Sequence, residues 1–124
     1  MPRVEAGDVM THDDRVPGVD VDEAVRLLEG DAQMIDVRDD KQWGAGHAPH
    51  SVHVTMAELS DATTWMWRSR RVVVVSRSGR RAADAVRHLR AAGVDAVRLD
   101  GGMHAWEHAG RELVSDNGRA PNIS

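Results

Sequence analysis

The sequence predicts a single α/β domain with a mainly parallel sheet, and three observations support this. Short apolar runs that suit strands alternate with amphipathic segments that suit helices, a pattern typical of parallel α/β sheets. The run "VVVV" at 72–75 is β-branched and has no polar alternation, as expected for a central strand covered on both faces. The length of 124 residues is sufficient for one hydrophobic core.

The first predicted element is a helix over residues 20–30. Asp20 suits the N-cap, Glu23 follows at the spacing of a capping box, and Gly30 suits the C-terminal end. Residues 1–15 show no sustained periodicity, so we expect them to form a flexible N-terminal arm. The apolar residues of the helix share one face and are Val21, Ala24, Val25 and Leu28.

Two short strands and a further helix are predicted next. "QMIDV" (33–37) and "SVHV" (51–54) are apolar runs that suit buried strands. Residues 38–50 lie between them and contain two glycines and a proline, which predicts a loop. "MAELSDATTWMW" (56–67) is predicted to be a helix.

The second half of the chain continues the alternation of strands and helices. The predicted elements are a strand (71–75), a helix (80–93), a strand (94–100) and a short helix (101–110). Gly93 suits the end of the long helix. Its inward face carries Ala82, Ala85, Val86 and Leu89. From Arg111 the chain is polar and rich in turn residues, so we expect a domain over 16–110 and a flexible tail over 111–124.

Composition narrows the classes of function. The 16 basic and 20 acidic side chains give a net charge of −4, which favours neither a nucleic-acid surface nor a membrane surface. No apolar run approaches the roughly 20 residues that cross a bilayer, and the N-terminus lacks the apolar segment of a signal peptide. We therefore expect a cytoplasmic protein. Cysteine is absent, which excludes disulfides, thiolate zinc sites and a cysteine nucleophile in this sequence, and no cofactor is expected.

Residues 76–81, "SRSGRR", are the most informative turn in the chain, because they join the valine strand to a helix. Such a turn points several backbone N–H groups into one concavity, and the helix N-terminus adds partial positive charge. Gly79 permits close approach of the backbone to a ligand. The alternative is an ordinary surface turn with solvated arginines. The predicted anion-binding residues of this 76–81 loop are Arg77, Ser78, Gly79, Arg80 and Arg81.

Two separate segments of the sequence resemble the rhodanese-like domain family. The first, "MIDVRDDKQWGAGHAPHSVHV", is similar through Asp36, Arg38, Trp43, Gly46, His47 and Pro49. The second, "VVVVSRSGRRAADAVRHLRAAGVDAVRLDGGMHAW", is similar through Gly79, Arg81, Gly93, Gly101, Gly102 and Trp106. The resemblance covers roughly residues 16–110. It implies a three-layer α/β/α sandwich with a central, mainly parallel sheet of about five strands.

Three positions depart from the family pattern. His50 stands where Gly is usual, His53 stands where Asn is common, and Ser76 stands where active members carry a nucleophilic cysteine. The resemblance implies a sulfurtransferase, in which that cysteine takes a sulfane sulfur, for example from thiosulfate, becomes a persulfide and passes the sulfur to a thiophile. Asp36, Arg38 and His47 are then the supporting residues around the loop.

Ser76 therefore leaves two hypotheses open. A hydroxyl needs an adjacent general base to act as a nucleophile, and the arginines of the loop are permanently protonated. We expect a module that is inactive in sulfur transfer and binds a small oxyanion such as thiosulfate, sulfate or phosphate, or a protein partner, but neither nucleic acid nor a membrane. The alternative is a thiosulfate sulfurtransferase in which the catalytic cysteine has been replaced by serine.

A related phosphatase loop has one more residue between the nucleophile and its arginine. Counting from Ser76, that arginine would fall on position 82, which is Ala82. The length of the loop therefore disfavours a phosphate-ester pocket.

Two sets of histidines raise the alternative of a metal site. They are His47, His50 and His53 at every third residue, and His104 and His108 one helical turn apart with Glu107 beside them. The first set does not converge if one member lies on a strand, and the second has only two histidines. Surface or structural roles are favoured, and no metal is expected.

The remaining candidate residues are assigned structural roles. Asp36 and Arg38 suit a structural ion pair at a strand end better than a general acid/base pair. The four tryptophans are expected to be core or pocket wall (Trp43 and Trp106), or one buried and one partly exposed (Trp65 and Trp67).

Overall fold

The computed structural model describes residues 16–59 and 67–123, and five strands in this part of the chain form one sheet. Every neighbouring pair of strands is parallel. The strands are β1 (Gly18–Val19), β2 (Gln33–Asp36), β3 (Val52–His53), β4 (Val72–Val75) and β5 (Ala96–Leu99). Their order across the sheet is β1-β5-β4-β2-β3. This confirms the predicted α/β class and the parallel sheet of about five strands. β1 is not detectable in the sequence, because two residues after Pro17 form no apolar run.

Four α-helices accompany the strands in the described residues. They are α1 (Val21–Glu29), α2 (Asp40–Ala45), α3 (Arg80–Ala91) and α4 (Gly102–His108). The predicted helices at 20–30, 80–93 and 101–110 correspond to α1, α3 and α4. The Asp20 side chain caps α1 by accepting a hydrogen bond from the Glu23 N–H at 2.8 Å, as predicted. None of the described helices is long and apolar enough to cross a membrane.

The sheet separates two hydrophobic clusters, and together they make three layers. On one face, Ile35, Val72 and Val74 pack with the inward side of α3. On the other face, strand residues such as Val73 and Val75 pack with Ala24 of α1 and with α4. The four predicted inward residues of α3, Ala82, Ala85, Val86 and Leu89, are all fully buried.

β4 lies at the centre of the sheet, which explains its composition. All four of its valines have no solvent exposure, because β2 and β5 flank the strand and both of its faces are covered. Val74 is in register with Ile35 on one side and Arg98 on the other. The carboxyl end of β4 therefore delivers the 76–81 loop to the middle of one edge of the sheet, where ligands bind in parallel α/β folds.

The loop predicted over residues 38–50 is wrong in its first half, because this segment contains α2. Its N-terminus carries a capping box in which Asp39 Oδ1 accepts from the Gln42 N–H at 2.8 Å and Gln42 Oε1 accepts from the Asp39 N–H at 3.4 Å. Two of the amides that a helix start leaves unpaired are thereby satisfied. The glycines that suggested a loop, Gly44 and Gly46, lie at the C-terminal end of α2, where they do not prevent the helix from forming.

The helix predicted over 56–67 is wrong at its start. Only one 3-10 turn, Met56–Glu58, forms there, with the Thr55 N–H donating to Glu58 Oε1 at 2.9 Å. This hydrogen bond lowers the pKa of the Glu58 carboxyl. Leu59 then takes an extended conformation (φ −71°, ψ 104°), which ends the turn. Residues 60–66, and with them the prediction for Trp65, lie outside the described residues, whereas Trp67 is buried.

The segment after α4 lies against the domain. Ile123 is buried in the same hydrophobic cluster as α1 and α4. The backbone hydrogen bonds that hold the segment are His47 N–H to Val114 O (2.9 Å), Val114 N–H to His47 O (2.9 Å), Asp116 N–H to Gly44 O (2.9 Å) and Asn122 N–H to Ala45 O (3.0 Å). The predicted flexibility of residues 111–124 stays a prediction, which amide hydrogen exchange would test. The predicted N-terminal arm, residues 1–15, lies outside the described residues.

Candidate functional site

Ser76 is the first residue after β4 and lies at the base of the 76–81 loop. It is only 2% exposed. Its Oγ accepts two hydrogen bonds, from the Gly79 N–H at 3.0 Å and from the Ala82 N–H at 3.2 Å. The amide of Ala82, in the first turn of α3, would otherwise lack a partner within the helix. Ser76, six residues earlier in the chain, supplies its acceptor.

Gly79 is the residue at which the loop turns into α3. Its φ of +105° lies in the left-handed region, which side-chain-bearing residues rarely adopt, and this agrees with the backbone freedom expected of it. The described residues offer no hydrogen-bond partner to the amides of Arg80 and Arg81, the first two residues of α3. Free amides at a helix N-terminus, together with the helix dipole, favour an anion at this point.

A pocket of about 240 Å³ opens over the loop. Its lining residues in the described part of the chain include four arginines and no carboxylate. Six of the predicted site residues meet here, and sequence reasoning missed Gln42, which the unpredicted helix α2 brings to the pocket. The lining residues are Arg38, Gln42, Ser76, Arg77, Ser78, Arg80 and Arg81.

Arg38 and Asp36 form a buried ion pair beside the pocket, as the sequence predicts. Arg38 Nη2 lies 2.7 Å from Asp36 Oδ2, and Arg38 Nε lies 3.0 Å from Asp36 Oδ1. The same Nη2 also donates to the Gly46 carbonyl at 2.7 Å. Because the carboxylate already neutralises Arg38, the positive charge that is left without an ion pair in the described lining comes from Arg77, Arg80 and Arg81.

α4 holds the 76–81 loop from behind, a contact that the sequence does not reveal. The Met103 N–H donates to the Ser76 carbonyl at 2.8 Å, and the His104 N–H donates to the Arg77 carbonyl at 3.1 Å. Gly102 has a φ of +60°, and a Cβ built on it would lie 2.4 Å from the Ser76 carbonyl oxygen. The double glycine "GG" before α4 therefore permits the close approach of two backbones under the site.

His47 does not reach the pocket; instead it stacks on Trp43. The two rings are 3.6 Å apart between centroids and only 8° from parallel, and His47 Nδ1 donates to the Trp43 carbonyl at 2.7 Å. His53 also stacks on Trp43, at 4.8 Å and 6°. One ring nitrogen of each histidine is hydrogen-bonded to a backbone carbonyl, His47 Nδ1 to Trp43 and His53 Nε2 to Arg38. These contacts give both histidines structural roles, and the described residues place no third ligand with them.

The other histidine set gives no metal cluster either. His104 and His108 are both exposed on α4 beside Glu107, along a shallow open depression. Within residues 16–59 and 67–123, no three potential ligands among His, Asp and Glu come together as a metal site. Trp106, on the same helix, is buried as core, and its Nε1–H donates to the Glu112 carbonyl at 3.0 Å.

Two of the departures from the family pattern have structural explanations. His50 has a φ of +64°, the left-handed region in which glycine is favoured, so the backbone at this position keeps the conformation that a glycine would take. The Gln33 side-chain amide donates to the His50 carbonyl at 3.0 Å and supports this turn. His53 Nε2 donates to the Arg38 carbonyl at 2.6 Å, so this histidine supports the strand end that carries the buried ion pair.

A parallel sheet between helix layers, with a six-residue loop that surrounds the end of the central strand, defines the class of rhodanese-like domains. The model of the rhodanese-like domain family matches residues 20–109, and the chain belongs to this family. The third departure from the family pattern, Ser76, lies at the base of the 76–81 loop, within the matched residues.

The relatives of the chain carry names of two kinds, a sulfurtransferase and a transcriptional regulator. The chain is 32% identical over 82 residues to YtwF of Bacillus subtilis, whose name proposes a sulfurtransferase; the match covers 64% of this chain and 80% of YtwF. It is 37% identical over 87 residues to the HTH-type transcriptional regulator Rv0324 of Mycobacterium tuberculosis, covering 68% of this chain but 38% of the regulator. The solution structure of the rhodanese-like domain of Alr3790 from Anabaena has a TM-score of 0.73 at 27% identity, with 87% and 86% of the two chains covered.

Proposed function

We propose that this rhodanese-like domain binds small oxyanions, or an oxyanion group on a protein partner, at the 76–81 loop and does not transfer sulfur. The observation that carries the proposal is the position of Ser76. An oxygen, and not a sulfur, lies at the base of the loop with two amides donating to it. Oxygen does not carry a stable persulfide, so the loop keeps its donors without the chemistry of a thiol.

Ser76 also lacks what a serine nucleophile requires. A hydroxyl becomes a nucleophile when an adjacent general base removes its proton. The lining of the pocket supplies arginines, a glutamine and a second serine, and none of these accepts a proton near neutral pH. His47 and His53 stack on Trp43, and neither of them lines the pocket. Covalent catalysis by Ser76 is therefore disfavoured on the same grounds as sulfur transfer.

The donors around the pocket support anion binding. Arg77, Arg80 and Arg81 line a volume of about 240 Å³, and the amides of Arg80 and Arg81 have no hydrogen-bond partner among the described residues. Thiosulfate, sulfate and phosphate suit such a site, because their oxygens accept several hydrogen bonds at once. The ligand is small and the pocket is open to water, so we expect a Kd on the order of millimolar.

The second candidate function is a thiosulfate sulfurtransferase whose catalytic cysteine has been replaced by serine in this sequence. The relationship to YtwF favours it. A cysteine codon at position 76 in the gene of the organism would establish this alternative at once.

Titration with sulfate and thiosulfate tests the proposal. We expect saturable shifts of the amide resonances of residues 77–82 in NMR spectra. Arg81→Ala should weaken binding several-fold, since it removes a charged donor from the pocket. Arg87→Ala is the matched control, because Arg87 lies on the same helix and pairs with Asp84 outside the pocket. Absence of any saturable change near the loop would refute the proposal.

A further inference from the structure

We infer that the Ser76 hydroxyl itself donates a hydrogen bond to the bound oxyanion. The serine then contributes to anion binding directly, in addition to removing the thiol that sulfur transfer requires. The inference rests on the proposed oxyanion function and assigns a specificity-determining residue within it. It goes further because a site with a thiol at this position and a site with a hydroxyl should hold different ligands.

The hydrogen bonds of Ser76 leave its proton without a partner. A hydroxyl has two acceptor lone pairs and one donor. The N–H groups of Gly79 and Ala82 use the acceptor side. No acceptor for the hydroxyl proton is found among the residues that the structure describes, although Ser76 is only 2% exposed and lines the pocket. A buried donor without an acceptor is costly, and a ligand oxygen in the pocket would supply that acceptor.

The charge of the pocket also differs between a thiolate and a hydroxyl at position 76. A thiolate at position 76 would accept the two amide hydrogen bonds, bring one negative charge and repel a second anion. A hydroxyl accepts the same two bonds, stays neutral and adds a donor. With serine, no side-chain anion lines the pocket in the described residues, and Arg77, Arg80 and Arg81 face the ligand without a thiolate beside them. Arg38 is paired with Asp36.

The lining groups also indicate the class of ligand. Guanidinium groups, amides and a hydroxyl proton are donors, and the pocket lining in the described residues holds no carboxylate to receive a proton from a ligand. The best match is a tetrahedral dianion that only accepts hydrogen bonds, of which sulfate and thiosulfate are the simplest. Sulfate is the better probe, because it neither reacts with a thiol nor changes its protonation state near neutral pH.

Sulfate titrations of the full chain and of two variants test the inference. Ser76→Ala removes the donor and should weaken binding about tenfold, the effect of one hydrogen bond to a charged group. Ser76→Cys should behave differently at different pH. As the thiol ionises, at or below its free pKa of about 8.5, the ratio of its Kd to that of the unsubstituted chain should rise a further tenfold or more.

Dividing the Kd of Ser76→Cys by the Kd of the unsubstituted chain at each pH cancels the effect of other titrating groups on sulfate binding. These groups include Asp36, which pairs with Arg38, and Asp39 and Asp40, which line an adjoining pocket with Arg81. They also include the histidines His47, His53 and His104. All of them are present in both proteins. Thermodynamic reciprocity adds a second readout, because sulfate must raise the pKa of the introduced thiol if the thiolate excludes sulfate. Thiolate absorbance measures this directly.

The outcomes separate the inference from the proposed function. If the unsubstituted chain shows no saturable sulfate binding, both are overturned. If it binds sulfate and the two variants bind equally well at every pH, the inference is overturned and the oxyanion module stands. If Ser76→Ala disturbs the loop, because two amides lose their acceptor, the pH profile of Ser76→Cys decides alone, since a structural disturbance would not titrate with the thiol.

Discussion

Arg38 and Asp36 are joined by an ion pair that is closed off from solvent, with Arg38 Nη2 2.7 Å from Asp36 Oδ2 and side chains that are 2% and 0% exposed. The pair does more than neutralise charge. Asp36 ends β2, and Arg38 reaches from it both to the pocket and to the Gly46 carbonyl behind α2. One buried contact thus links the sheet, the pocket and the helix that contributes Gln42.

Asp36→Asn should therefore lower the free energy of unfolding by about 3–5 kcal/mol, because it leaves a buried guanidinium without its counter-charge. Chemical denaturation would measure the change. The matched control is Asp95→Asn, which weakens two exposed ion pairs, with Arg71 (3.0 Å) and Arg90 (3.7 Å), and should cost less than about 1 kcal/mol. Similar costs for the two substitutions would show that burial of the Asp36–Arg38 pair contributes little to stability.

Gly102→Ala should destabilise the domain and disturb the 76–81 loop. An added Cβ would lie 2.4 Å from the Ser76 carbonyl oxygen, and backbone atoms cannot move aside cheaply. Gly110→Ala is the control, because Gly110 also has a positive φ (+75°) but nothing lies within 4 Å of its added Cβ. We expect Gly102→Ala to cost about 1–3 kcal/mol more than Gly110→Ala. Equal melting temperatures would contradict the close approach of α4 to the loop.

Gly79→Val should cost about 1–3 kcal/mol of stability and weaken sulfate binding, for a different reason. The nearest atom to an added Cβ is the Gly101 N at 3.5 Å, which is an ordinary contact. The penalty comes from holding a β-branched residue at a φ of +105°. Thermal unfolding and sulfate titration measure the two effects. If neither changes, Gly79 is an ordinary turn residue.

Ser76→Cys should create a sulfur-accepting site. The helix N-terminus and the neighbouring arginines should lower the pKa of the thiol below its free value of about 8.5. The thiolate would attack the outer sulfur of thiosulfate, the S–S bond would break, and sulfite would leave with the electron pair. Mass spectrometry should then show a chain heavier by one sulfur atom, and cyanide should remove that sulfur as thiocyanate.

The unsubstituted chain and Ser76→Ala are the controls for this experiment. Both should show no thiosulfate:cyanide activity above background, because neither has a thiol. An activity of the unsubstituted chain that survives repurification and is lost in Ser76→Ala would contradict the proposed function. A cysteine that ionises near neutral pH but forms no persulfide would show that the rest of the pocket does not support the transfer, which favours the binding module.

Local patterns in the sequence were enough to predict the elements that define the family. The valine run of β4 and the apolar face of α3 are set by burial of neighbouring side chains, and this burial leaves a periodic signal in the sequence. The 76–81 loop is equally local, since a strand, a glycine turn and a helix start follow one another within a few residues. The predicted ion pair of Asp36 and Arg38 joins residues only two positions apart.

Tertiary structure decided the contacts between segments that are distant in sequence. The placement of Gln42 in the pocket depends on α2. The capping box of Asp39 and Gln42 is the local signal for this helix, although the glycines nearby predicted a loop. The stacking of His47 and His53 on Trp43, the support of Ser76 by α4 and the pairing of Val114 with His47 leave no periodic pattern, because each depends on how the chain returns to the sheet. The sequence alone thus determined the family and the loop, whereas only the packed chain determined what holds the loop in place.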